Sequence, residues 1–499
     1  MRFKVFAAVL AAVALMSAAV GVASATNGPI HETTAQTTTA IQTTATKLEP
    51  ATGLVGDDQG TCALLRSGGV ECWGNNTYGA LGDGTVLSLW YSEVPLAAKG
   101  LTGVARLVSD GDGYCAVLKS GLVRCWGYNH GGFPGAPGEA AGLLGNGSGE
   151  EFSDVPVSVK GLTGVRSLVS DRNGYGSAFG FCAVVGSGGV KCWGSNDAVI
   201  GGGVTGSGLL GNGSNEASSD IPVKVKGLAG VKSLASDQAG YCALLRSGRA
   251  DCWGDNDYNE LGDGQLGDLA GSGSSTQVSS NVPVAVKGLT GAVSLASDGI
   301  GYCALLHNGG VQCWGNNSFG ELGDASKPNP KTNYGSDVPV RVKGLAGAVS
   351  LAGTDYGYCA QLHSGGAKCW GSNSLDELGD GRSSTSQAYS DMPVTVKGLA
   401  GAASLVGGDD NGSTGSGYTY CAVLRNGTAV CWGQNGYGEL GDGGSEGASD
   451  VPVTVKGLAG VASLEVGTGS ACAVLRNGGA ECWGYVAGAA PVNLAGIGP

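Results

Sequence analysis

Sixteen cysteines divide into eight pairs whose members stand ten positions apart, and a Trp-Gly follows the second member every time. The pairs are Cys62 and Cys72, Cys115 and Cys125, Cys182 and Cys192, Cys242 and Cys252, Cys303 and Cys313, Cys359 and Cys369, Cys421 and Cys431, and Cys472 and Cys482. Only Trp90 of the tryptophans lies outside the pattern. Such repetition, at intervals of roughly 50 to 70 residues, belongs to a solenoid or a propeller, in which one supersecondary unit is used again and again.

Within the second unit, "VARLVSD", "YCAVL", "LVRCWG" and "VPVSVKG" read as four short strands, rich in Val and Leu and separated by Gly, Asp, Asn and Ser. No helical periodicity follows the N-terminal segment. A lone four-stranded sheet cannot bury both faces, so eight such units predict an all-β propeller of four-stranded antiparallel blades. Eight first-strand signals, from Leu54 to Leu464, favour eight blades over seven.

The propeller gives the cysteines a role. Pairing Cys62 with Cys72 across a hairpin leaves Arg66-Ser67-Gly68 as its loop, with glycine where a left-handed residue is needed. Residues opposite one another on antiparallel strands are close enough for a disulfide, so one bridge per blade is expected, worth ~3 kcal/mol in the chain-entropy model. Zinc is the alternative, but the spacing lacks a Cys-x2-Cys knuckle and the four histidines do not follow the cysteines.

Residues 1–25 read as a secretory signal peptide: Arg2 and Lys4, an apolar segment from Val5 to Val20, and the small-residue site Ala23-Ser24-Ala25. An uncleaved anchor is the alternative, and its apolar core is short for a membrane span. Residues 26–50, crowded with Thr, Ala and Gln, are expected to be a disordered leader, and 51–499 the propeller. Location outside the cell, in a periplasm or at the cell surface follows, and suits the disulfides. Losing Arg2 and Lys4 takes the formal charge from −13 to −15, which disfavours nucleic acid.

"WGNNTYGALGDG" (Trp73 to Gly84) and "WGQNGYGELGDG" (Trp432 to Gly443) have the form Trp-Gly-x-Asn-x-x-Gly-x-Leu-Gly-x-Gly, with close versions in three other units. Units two and three interrupt it before "LLGNG", and unit eight loses it. Across residues 51 to 499 the chain resembles the regulator of chromosome condensation (RCC1) repeat family, in a secreted bacterial-type form. The resemblance implies a β-propeller, usually seven-bladed, and in nuclear members exchange activity on a small GTPase. This chain departs from it by placing Tyr-Cys in five units, Phe181-Cys182 in the third, and Thr61 and Ala471 before the cysteine in the first and last, where the family has His-Ser.

In a four-strand meander the first-to-second and third-to-fourth connections share one face. The long segments "DRNGYGSAFG", "GGDDNGSTGSGYT", "GYNHGGFPGAPGEAAG" and "SLWYSE" all fall there, where recognition is expected. Trp90, Tyr91, Phe133 and Phe179 are its candidate partner-binding residues. Asp83, Asp110, Asp171, Asp237, Asp263, Asp298 and their equivalents are expected to make this face acidic, and Lys99, Lys160, Lys226, Lys287, Lys343, Lys397 and Lys456 the other basic. His31, His130, His307 and His363 share no repeat position, and no catalytic, phosphate or metal motif appears, so no catalytic residue, metal or cofactor is expected. The reading is a monomeric binding module for an extracellular protein. A hydrolase or lyase acting on extracellular polysaccharide and a guanine-nucleotide exchange factor are the alternatives.

Overall fold

The computed structural model describes residues 49–493, apart from 57–59, 86–89, 132–139, 173–177, 201–202, 206–207, 267–278, 328–334, 409–417, 446, 468 and 486. Residues 1–48, which hold the expected signal peptide and most of the expected leader, lie outside it. Eight four-stranded antiparallel meanders follow one another along the chain, with a short two-stranded ribbon between the third and fourth strands of blades 2 and 3. Blade 4 is typical, with strands Val231–Ser236, Gly240–Leu245, Ala250–Gly254 and Ser280–Ala285. No α-helix occurs among the described residues.

The eight blades carry eight disulfides, each joining the paired cysteines of its own hairpin, with Cα atoms 4.0–4.1 Å apart. In the first hairpin Leu65 and Gly69 close the loop Arg66-Ser67-Gly68, and Gly68 takes φ +87°. That glycine is also required by packing, since a Cβ there would stand 2.9 Å from the Gly103 Cα of blade 2. Its carbonyl accepts from Val104 N at 3.0 Å. The same backbone bond links each blade to the next, and Ala51 N to Gly478 O, at 2.9 Å, joins blade 8 to blade 1. The ring therefore closes after eight units by the same contact that joins the others.

The core is divided among the blade interfaces. One cluster joins Cys242, Leu244 and Cys252 of blade 4 to Tyr302, Ala304 and Trp314 of blade 5, and the other interfaces repeat it. The outermost strands are open edges. Each is interrupted by an irregularity and carries a proline, among them Pro95, Pro222, Pro283 and Pro393, which blunts an edge against pairing with another chain.

Candidate functional site

Each repeated motif forms a lock between blades. Trp126, Trp193, Trp253, Trp314, Trp370, Trp432 and Trp483 are fully buried, and each stacks on a cross-strand neighbour where one is aromatic, as with Tyr302 and Trp314. Their indole N–H groups donate to main-chain carbonyls in the third-to-fourth loop of the preceding blade: Trp253 to Leu209 O at 2.9 Å, Trp314 to Glu260 O at 2.8 Å. The motif asparagine holds that loop in place, Asn256 Oδ1 accepting from Leu261 N at 3.0 Å. The motif glycine lies under the tryptophan, for a Cβ on Gly262 would be 2.7 Å from Trp314 Cδ1.

The motif glutamates belong to the same lock. Glu260, Glu321, Glu377 and Glu439 are buried and accept the main-chain N–H two residues upstream, at 2.7–2.8 Å. Burial pushes all four above the usual carboxylate range, Glu321 to about 8 with help from Asp298.

The aspartates at the ends of the first strands are not an exposed ring. Asp110, Asp171, Asp237 and Asp298 are all at most 4% exposed. Asp171 accepts from Ser236 Oγ of the next blade at 2.9 Å, and burial pushes it to about 7. Asp298 is likewise pushed to about 7 by burial. Asp237 is raised by burial and by the charge of Asp171. The loop aspartates depart from the expected division as well. The segment containing Asp83 runs down the blade until Gly82 O accepts from Lys99 N at 2.8 Å, and the Lys99 side chain lies over Gly84. The same loop-to-lysine bond recurs at Lys160, Lys226, Lys287, Lys343, Lys397 and Lys456. Acidic and basic groups are thus interleaved, and the expectation of opposed charged faces is corrected.

What the face of variable connections does present is aromatic. Trp90 is 72% exposed and Tyr91 49%, with Trp90 O accepting from Asn76 N at 2.8 Å at the end of the blade 1 sheet. Phe133 lies outside the described residues, and Phe179 stands in the second strand of blade 3, Ala178–Val185, where its side chain is not described. The four candidates thus belong to three different blades. Sequence reading missed a second set on the same face: Phe319 with Tyr356 (ring centroids 5.2 Å apart) and Tyr437 with Tyr485 (5.2 Å), and Tyr78 over the buried Tyr128 (4.4 Å). Tyr78, Phe319 and Tyr437 share the sixth position of the Trp-Gly motif, which was the available signal.

The innermost strands enclose a central cavity of about 370 Å³ that reaches this face. Ser109, Ser170, Ser236, Ser297 and Thr354 contribute to its wall.

No family model matches the chain. The human E3 ubiquitin-protein ligase HERC2 is 26% identical over 422 residues, covering 83% of this chain but only 8% of HERC2. The RCC1 domain-containing protein RUG3, mitochondrial, of Arabidopsis thaliana is 27% identical over 192 residues, 38% of this chain and 41% of RUG3. Yeast RCC1 (Prp20), solved with Kap60, superposes with a TM-score of 0.57 at 19% identity over 90% of this chain and 95% of its own. The fold is a β-propeller similar to that of yeast RCC1. The match to yeast RCC1 spans nearly all of both chains, whereas the present chain spans a small fraction of HERC2.

Proposed function

We propose that this chain is a secreted RCC1-repeat propeller that binds an extracellular protein through its variable-loop face. Residues 1–25 act as the export signal, 26–50 as a leader and 51–499 as the propeller. The observation that carries the reading is the exposure of Trp90 and Tyr91, with the paired aromatics Phe319–Tyr356 and Tyr437–Tyr485, at the strand ends from which variable connections leave. Sixteen cysteines paired without remainder fit an oxidising compartment. The solved relatives are consistent with protein recognition: Prp20p is described with its binding to Gsp1p and histones, and with Kap60 bound.

The test is a pull-down from the native secretome, followed by affinity measurements on the captured partner. Trp90→Ala is expected to weaken binding by ~2 kcal/mol or more while leaving the melting temperature unchanged. Lys226→Glu and Lys343→Glu, at the opposite end, should change affinity only by a salt-sensitive margin. If the lysine variants abolish capture and Trp90→Ala does nothing, the working face is the other one. Recovery of polysaccharide in place of protein turns the reading toward the glycan-acting alternative.

A further inference from the structure

One position of the repeat breaks its own rule inside the central cavity. The first-strand residue paired with the first cysteine of its blade is Val55, Val108, Val169, Ala235, Ala296, Ala352 or Val406 in blades 1 to 7. In blade 8 it is Glu465, opposite Cys472. Glu465 lines the cavity and is exposed, whereas its seven equivalents are small or apolar and partly or wholly buried. A carboxylate therefore stands at a level where the other lining residues are Val55, Val108 and Val169.

The rest of the wall complements it. One residue along the strands are the serines of blades 2 to 5, Ser109, Ser170, Ser236 and Ser297, and beyond them Gln238, Asp298 and Asp355 at the loop-side mouth. Asp298 is 4% exposed; its Oδ1 accepts from Ile300 N at 3.3 Å, while Oδ2 has no hydrogen-bond partner. The Tyr358 hydroxyl faces this carboxylate. Among the described residues no Lys, Arg or His lines the cavity. Glu465 and Asp355 are three strand positions apart in level, roughly 10 Å at 3.3 Å per residue. The volume falls at the lower end of small-ligand sites.

We propose that the central cavity is a binding site for an extended organic cation, entering from the loop side, whose ammonium or guanidinium groups are held by Glu465 and by the mouth carboxylates, with the serine hydroxyls accepting the remaining N–H donors. The apolar stem between such groups matches Leu107, Val108, Leu168 and Val169. This chemistry has two sources, a free polyamine or a Lys or Arg side chain of a bound protein. The site does not depend on the loop-face reading, because the polyamine arm needs no protein partner.

The experiment is calorimetric titration of the exported full chain with spermidine, with a capped Gly-Arg-Gly peptide and with glucose as a neutral polyol. One site is expected for spermidine or the peptide, and whichever binds identifies the source. Glu465→Val, which installs the side chain of four other blades, should weaken binding about tenfold or more with no fall in melting temperature. Glu150→Gln, an exposed carboxylate of a blade 2 loop, should change nothing and so reports on nonspecific attraction to an acidic protein. Absence of binding by both cations up to ~10 mM, equal binding of glucose, or equal binding by Glu465→Val overturns the proposal.

Discussion

The tryptophan indole shows how a single side chain can be both packing and polar lock. Trp314 buries its ring against Tyr302 and also satisfies Glu260 O, a main-chain acceptor whose residue is 4% exposed. Trp314→Phe keeps much of the ring but removes the donor, and is expected to cost about 1–3 kcal/mol in denaturant melts. Trp253→Ala removes both and should cost ~3–5 kcal/mol, with the loss shared by the neighbouring blade. An unchanged midpoint for both variants means that the lock contributes nothing. That these tryptophans are core residues was legible, since a residue recurring at equivalent positions answers to the repeat. Their partners were not, because Leu209 and Glu377 lie 44 and 55 residues upstream of the tryptophans they serve.

At the level of the element, the hairpin is self-contained. Cys242 and Cys252 are direct cross-strand partners, and their bridge constrains the unfolded chain without help from any other blade. Non-reducing peptide mapping should link Cys242 to Cys252 alone, and a free-thiol count near sixteen would refute the assignment. Replacing both by Ala is expected to destabilise by ~3 kcal/mol. Two insertions read as loops contain strands of their own: His130–Gly131 pairs with Ala140–Ala141, and Ala198–Ile200 with Gly203–Thr205. These pairs are too short to show an alternating pattern in sequence.

At the scale of the whole molecule, closure and burial dominate. The junction of blades 8 and 1 has the backbone bond from Ala51 to Gly478, but unit eight lacks the locking motif and Trp73 stays 7% exposed. Hydrogen exchange should therefore be fastest at that junction, with the Trp73 indole exchanging before the other seven. The buried acids set the pH response. Asp171, Asp255 and Asp298 are pushed to about 7 and Glu321 to about 8, chiefly by burial. The folded protein then holds more protons than the unfolded chain between about pH 4 and pH 8, so stability falls as pH rises through that window. Thermal melts are expected at higher temperature at pH 5 than at pH 8; the opposite order would show these carboxylates to be paired and ionised.

The sequence by itself determined the repeat, the four-strand blade, the hairpin around each cysteine pair and its three-residue turn. All of these rest on contacts between residues close along the chain, where the spacing of Cys62 and Cys72 or the place of Gly68 encodes the contact. The tertiary structure alone decided that Asp110, Asp171, Asp237 and Asp298 are buried, that the loop holding Asp83 reaches Lys99, that the ring closes at Gly478 and that Glu465 faces the cavity. Asp171 and Ser236 meet across 65 residues of chain, and Thr354 and Tyr420 across 66. Burial depends on which surfaces meet when whole blades stack, and no local pattern of polar residues in a turn distinguishes an aspartate that will face water from one that the next blade will cover.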